Sequence, residues 1–322
     1  MKLSIEQLKK ITVGALYIWE EDGAIRFAKC TPKQVKTWYN RSKSLGERAE
    51  ATTGVRLDFH TNSKMFAFTP AVATKYEVYI DNVLTYAYSE SDFESDMRKC
   101  VELDGREHRV TLYLPSHMCG MLESVEIDAD AILTPHEFDC KILFIGDSIT
   151  QGWDSNWDSL SYAYHVSRFF NAESVIQGIG GAYYHATTFD EAIEFDPDVV
   201  IIAYGTNDWD NEHKSLESGR EHCKLFLDQV VARYGDKKLL GITPIWRGDA
   251  ATPKEMGSFE DCICYVKEEL TSHGMTVIDG QTLTPHLPEF YADEYLHPNA
   301  RGFGVYALNL IKQLYHIVVE LD

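Results

Sequence analysis

Four short stretches hold residue types that could carry out acyl transfer. In Lys141-Ile-Leu-Phe-Ile-Gly-Asp-Ser-Ile-Thr-Gln-Gly152 a serine follows an apolar run and a glycine. Ile, Leu and Phe at 141–145 read as a buried strand that Gly146 ends, and Asp147, Ser148 and Thr150 suit the free amides at a helix start. Ser148 would then stand at the carboxyl end of a strand, the edge where open α/β sheets bind ligands. Backbone N–H groups there favour the negative charge that nucleophilic attack by a serine creates. Alone, a Gly-Asp-Ser is more often a helix cap than a nucleophile.

Three later stretches change that weighting. Gln177-Gly-Ile-Gly-Gly-Ala182 follows a second strand signal, and its glycines permit close backbone approach to a ligand. The spacing is not that of a dinucleotide loop, so an amide donor to an oxyanion, from Gly181 or its neighbour Gly180, is the better reading, with a plain turn as the alternative. In Tyr204-Gly-Thr-Asn-Asp-Trp209 the Asn207 side chain could complete such an oxyanion hole, although Asn-Asp after a strand is commonly turn chemistry. Ala292-Asp-Glu-Tyr-Leu-His-Pro-Asn299 places one of the chain's 12 histidines, His297, among acids, before a proline and a helix start. A neighbouring carboxylate could hold its imidazole in one tautomer.

These residues need a framework. Residues 1–135 read as mostly β: short alternating runs at 16–19, 24–27, 55–59, 65–68, 76–80, 83–88, 109–114 and 125–129 are separated by turn signals, which predicts a sandwich. After a linker at 133–139 the pattern changes to strands at 141–145, 174–177, 199–204, 238–243 and 276–278 alternating with helical patterns, which predicts a parallel sheet. The expectation is an all-β, jelly-roll-like sandwich over 1–135, then a three-layer α/β/α domain with a flavodoxin-like sheet over 136–322.

Composition narrows the partners. A net charge of −20 argues against a nucleic-acid backbone and anionic membranes, and no apolar run is long enough to span a bilayer. The first residues lack the apolar segment of a secretory leader, and seven cysteines without framework spacing read as reduced thiols, so a cytoplasmic protein is expected. Cys262-Ile-Cys264 has no second pair nearby, and no metal site is expected. Nothing in the sequence specifies an oligomeric state.

Taken together, the four stretches resemble the SGNH (GDSL-type) hydrolase family, in the family's order, over roughly residues 140–316. The resemblance implies Ser148 as nucleophile, His297 as base and then acid, and an oxyanion hole of the Ser148 amide, the Gly181 (or Gly180) amide and the Asn207 side chain. The family usually places an aspartate three residues before the histidine; here that position holds Glu294, with Asp293 one further back. Glu294 fits the spacing and Asp293 the residue type, while a backbone carbonyl could instead orient the ring; Glu294 is favoured. Asp147 and Asp208 read as structural acids that bond backbone amides. The serine motif does not fit the G-x-S-x-G of α/β-hydrolases.

The β-rich first half is similar in layout to two-domain carbohydrate esterases of family 2. That likeness implies a short acyl ester, such as an O-acetylated sugar, as substrate, with no cofactor. Trp153, Trp209, Trp246 and Arg247 follow strand ends and could line the site, or be core residues. The rival readings are a catalytically degenerate carbohydrate-binding protein, supported only by the altered acid position, and a lipase, thioesterase or acyltransferase using the same site.

Overall fold

The computed structural model describes residues 1–319. The chain divides into two units, Met1–Cys30 with Glu50–Phe138, and Thr31–Ala49 with Asp139–Asp322.

The first unit is a sandwich of two antiparallel sheets. One runs Thr12–Val13, Arg56–Thr61, His108–Tyr113, Tyr76–Ile80, Val83–Tyr88, with Thr134–Pro135 also paired to Arg56–Thr61; the other runs Tyr17–Glu21, Ala24–Ala28, Met121–Ile127, Met65–Pro70, Lys99–Glu102. Two hairpins turn at Asp22-Gly23 and Asp81-Asn82, all four residues having positive φ, as tight two-residue turns require. Between the sheets, Phe59, Val78, Val110 and Leu112 of one meet Phe27, Phe66, Phe68, Leu122 and Val125 of the other, all buried. Each such side chain contributes about 1.5–3 kcal/mol by leaving water.

The second unit carries the parallel sheet. Its strands are Cys140–Gly146, Ala172–Gly178, Val199–Ala203, Lys238–Ile242 and Thr276–Ile278, in spatial order second, first, third, fourth, fifth. That is the flavodoxin-like order, and its crevice opens at the carboxyl ends on either side of the first strand. Gly146 lies opposite Gly178 on one side and Ala203 on the other, so the three segments that follow these strands emerge together. Helix Tyr162–Phe169 packs with Ala300–Val319, and Leu216–Tyr234 with Phe259–Ser272, completing the helical layers.

The structure departs from a single cut after residue 135. Residues 31–49, read from sequence as part of the β half, form helices Pro32–Arg41 and Lys43–Glu50 of the second unit up to Ala49. Thr31 and Gln34 cap the first of these reciprocally. Buried contacts then fix it: Thr31 Oγ1 donates to Asp190 Oδ2 at 2.5 Å, and the Gln34 and Gln177 amides pair at 3.0 and 3.1 Å. Trp38 is buried with its ring edge-on to Tyr183. The helix Ile5–Ile11 and the strand Lys99–Glu102 also went unread in the sequence.

All seven cysteines are free, and Cys262 and Cys264 differ in surroundings, one buried and one exposed. Among the described residues no helix is long and apolar enough to cross a membrane.

Candidate active site

Gly146 ends the first parallel strand, and Asp147 turns the chain into the one-turn helix Ser148–Gln151 by accepting the Ile149 amide at 2.9 Å. Ser148 is thereby the first helical residue, 6% exposed. The histidine arrives from the other end of the unit on a closed loop. Tyr291 bridges Pro298, the Ala292 amide donates to the His297 carbonyl at 2.8 Å, and Asn299 Oδ1 caps the last helix by accepting the Arg301 and Gly302 amides. His297 Nε2 lies 3.0 Å from Ser148 Oγ, and its Nδ1 lies 2.8 Å from Asp293 Oδ2.

Asp293, rather than the favoured Glu294, meets the imidazole. The loop winds around the Asp293 carboxylate, whose Oδ1 accepts the amides of Tyr295, Leu296 and His297 at 3.1, 2.8 and 3.0 Å. That wrapping aims the other oxygen at the ring and forces Glu294 into the left-handed region at φ 69°, exposed. Burial alone would push the Asp293 carboxyl up, but these amides and the imidazole together hold it below its ordinary value. An ionised Asp293 keeps the ring proton on Nδ1 and leaves Nε2 to accept from the serine hydroxyl. Asp154 Oδ2 stands 3.6 Å from the same Nδ1, a second carboxylate that nothing in the sequence marked.

The donors opposite Ser148 sort themselves by what is already bonded. The Gly180 amide is taken by Gln151 Oε1 at 2.6 Å, whereas the Gly181 amide has no protein acceptor among the described residues. Gly181 has φ 83°, which glycine adopts without strain, and of the two glycines it is the one whose amide stays open at the cleft. Asn207 Nδ2 donates one hydrogen to the Ala182 carbonyl at 2.9 Å, which orients the amide and leaves its second hydrogen for the cleft. Ser148, Gly181, Asn207 and His297 border one cleft of about 250 Å³, walled by Trp153, Arg48 and Leu296.

Of the four residues expected to line the site from strand ends, only Trp153 does so. Trp209 is wholly buried, packed on Phe259, with Nε1 donating to the Gly257 carbonyl at 3.0 Å. Trp246 packs against Tyr291 and His286, away from the cleft lining. Arg247 is buried beneath the Asn207 segment, its guanidinium bonded to Asp249 at 2.9 and 3.0 Å and to Thr206 at 3.0 Å, over the Trp209 ring. A residue so placed supports structure. Arg247→Ala is expected to destabilise the protein by about 1–3 kcal/mol, since it removes the donor to the buried Thr206 carbonyl and hydroxyl while Lys254 still pairs with Asp249; denaturant unfolding measures this, and a loss under about 0.5 kcal/mol would contradict it. Arg48, in contrast, comes from helix Lys43–Glu50, and no motif or periodicity pointed to it.

Asp147 and Asp208 are the structural acids expected. Asp208 Oδ1 accepts the Tyr184 amide at 3.1 Å and faces His213 Nε2 at 3.2 Å. Burial pushes the Asp147 carboxyl up to about 7, against the opposing Ile149 amide bond. An acid with a raised native pKa binds more protons folded than unfolded, so this group's contribution to stability declines as pH rises from about 4 to about 7. Asp147→Asn keeps the acceptor for Ile149 and removes that titration. The variant is expected to lose less stability than wild type between pH 5 and pH 8; equal losses, followed by thermal unfolding at the two pH values, would rule the assignment out.

A doubly wound parallel sheet with a serine, a histidine and an aspartate brought together at its carboxyl edge is a hydrolase-type fold. Residues 144–305 match the GDSL-like lipase/acylhydrolase family, and the chain belongs to that family. No curated protein matches it by sequence. Among solved structures it is similar to a salicylyl-acyltransferase from a tetracycline biosynthetic pathway, at 18% identity over 96% of this chain and 95% of that one, with a TM-score of 0.77. It is also similar to a family two carbohydrate esterase from Cellvibrio japonicus, at 17% identity over 100% and 99% of the chains, with a TM-score of 0.69. A family two carbohydrate esterase from Clostridium thermocellum in complex with cellohexaose is 16% identical over 83% and 93%, with a TM-score of 0.64. At these identities the likeness is one of fold, and it extends over both units.

Proposed function

We propose that the protein is a serine esterase that hydrolyses short acyl esters through an acyl-enzyme on Ser148. The observation that carries this is the unbroken line Ser148 Oγ, His297 Nε2, His297 Nδ1, Asp293 Oδ2, with steps of 3.0 and 2.8 Å across the two hydrogen bonds. His297 Nε2 takes the hydroxyl proton as Oγ attacks the carbonyl carbon. The oxyanion accepts from the amides of Ser148 and Gly181 and from Asn207 Nδ2. When the ester C–O bond breaks, His297 returns the proton to the leaving alkoxide. Water, deprotonated by the same nitrogen, then releases the acid and regenerates Ser148. Asp293 stabilises the imidazolium in both halves and keeps its own charge throughout.

The cleft of about 250 Å³ has room for a short acyl chain and part of the alcohol. Trp153 lines that cleft, and indole packs against the apolar face of sugar rings, so an O-acetylated carbohydrate is the substrate class we favour. The reading of a silent carbohydrate-binding protein drew on the acid position alone, and Asp293 meets that need. Hydrolysis of p-nitrophenyl acetate, butyrate and octanoate tests the proposal: turnover should fall at least tenfold from acetate to octanoate. Acetate should also be released from acetylated xylo-oligosaccharides. A preference for octanoate would replace the short-acyl reading with a lipase.

A further inference from the structure

Arg48 touches the oxyanion side of the cleft by an indirect route. Its Nη1 donates to the Gly180 carbonyl at 2.8 Å. That carbonyl belongs to the same planar peptide group as the Gly181 N–H, the donor left open to the cleft. A charged donor on the carbonyl draws electron density from the group and makes its N–H a stronger donor, since hydrogen bonds through one amide reinforce each other. The preceding peptide is pinned by Gln151, which accepts the Gly180 amide at 2.6 Å. Both sides of Gly180 are therefore held, one by the helical turn that carries Ser148 and one by a helix from far earlier in the chain.

Arg48 is itself well placed for this. Its guanidinium lies 5.0 Å from the Trp153 ring centroid, and the Trp153 amide donates to the Ser148 carbonyl at 2.9 Å. A methyl group at Gly181 would come within 3.2 Å of Arg48 Nη1, and one at Gly180 would come within 3.2 Å of Arg48 Cδ and 2.9 Å of Gln151 Oε1. The two glycines thus let the arginine and the loop close on each other. With 50 acidic and 30 basic residues in the chain, a permanent cation at the cleft wall is also a local reversal of sign, next to the place where negative charge develops.

We infer that Arg48 is a positioning residue of the oxyanion hole, which fixes and polarises the Gly180–Gly181 peptide so that its N–H binds the tetrahedral oxyanion. The inference rests on the serine-esterase reading. It places the effect in the transition state, so the loss should appear in kcat and little in KM, even with a neutral substrate. Direct removal of one oxyanion donor typically costs about 10²–10³ in kcat; acting through the peptide, Arg48→Ala should cost roughly 10–100-fold, with KM within about threefold.

The test measures kcat and KM for p-nitrophenyl acetate with wild type, Arg48→Ala, Arg48→Lys and Ser148→Ala, and repeats Arg48→Ala with added ethylguanidinium. Recovery of kcat by ethylguanidinium, or a partial recovery in Arg48→Lys, is the expected result. Unchanged kcat in Arg48→Ala overturns the inference, as does a loss confined to KM, which would make Arg48 a substrate anchor. A collapse that neither cation restores overturns it too, because packing alone would then explain the loss. Ser148→Ala separates the two levels. Full turnover in that variant removes the esterase reading itself, whereas a silent Ser148→Ala beside a normal Arg48→Ala removes only the role of Arg48.

Discussion

Ser148→Ala is expected to lower kcat/KM for p-nitrophenyl acetate by roughly 10⁴-fold or more, while the unfolding transition stays within about 1 kcal/mol of wild type. The hydroxyl is the only atom removed. It bonds His297 Nε2 at 3.0 Å and does not cap the turn, a task that falls to the Asp147 carboxylate. Because the protein would keep its fold, its oxyanion donors and its cleft, residual activity should reflect those alone. An active-site phosphonate that labels wild type should leave the variant unlabelled. Labelling at another residue, or turnover within tenfold of wild type, would place the nucleophile elsewhere.

The second large effect separates two adjacent acids. Asp293→Asn is expected to reduce kcat by roughly 10²–10⁴-fold, while Glu294→Gln leaves it within a factor of about two. An asparagine at 293 can still accept the three loop amides, but it offers the imidazole no charge, and its NH₂ favours the ring tautomer that cannot accept from Ser148. Asp154, 3.6 Å from His297 Nδ1, can supply part of the missing charge, which sets the lower end of that range. Adding Asp154→Asn to Asp293→Asn should then deepen the loss. Glu294 is exposed at a left-handed turn position, so its charge is screened by water. A larger loss from Glu294→Gln than from Asp293→Asn, in parallel kcat measurements, would reverse the assignment.

Much of the scaffold was legible because it rests on local chemistry. Apolar runs ended by Gly-Asp-Ser, Gly-Ile-Gly-Gly and Gly-Thr-Asn-Asp are strands followed by turns whatever their neighbours do, and parallel order then brings their ends to one edge. The turns between the runs at 16–19 and 24–27 and between those at 76–80 and 83–88 were readable for the same reason, since few residues accept two successive positive φ values, as Asp22-Gly23 and Asp81-Asn82 do. Position along a strand says less about burial. Trp209 and Arg247 follow strand ends as Trp153 does, yet they turn inward to Phe259, Asp249 and Thr206, a choice made by partners remote in sequence.

The sequence by itself determined the parallel sheet and the β-rich first half, because local runs and turns specify them, and it marked Ser148, Asn207 and His297 as candidates through the order of four stretches that resemble one family. Only the tertiary structure decided which acid serves the histidine. Spacing along the chain favoured Glu294, but a loop wound around a carboxylate aims its side chains by three-dimensional hydrogen bonding, and that selected Asp293. Only the tertiary structure, likewise, lifted residues 31–49 out of the β half and set Arg48 against Gly180. A contact between residues 132 apart leaves no periodicity to read; it exists because buried polar pairs such as Gln34 with Gln177 are satisfied in that arrangement.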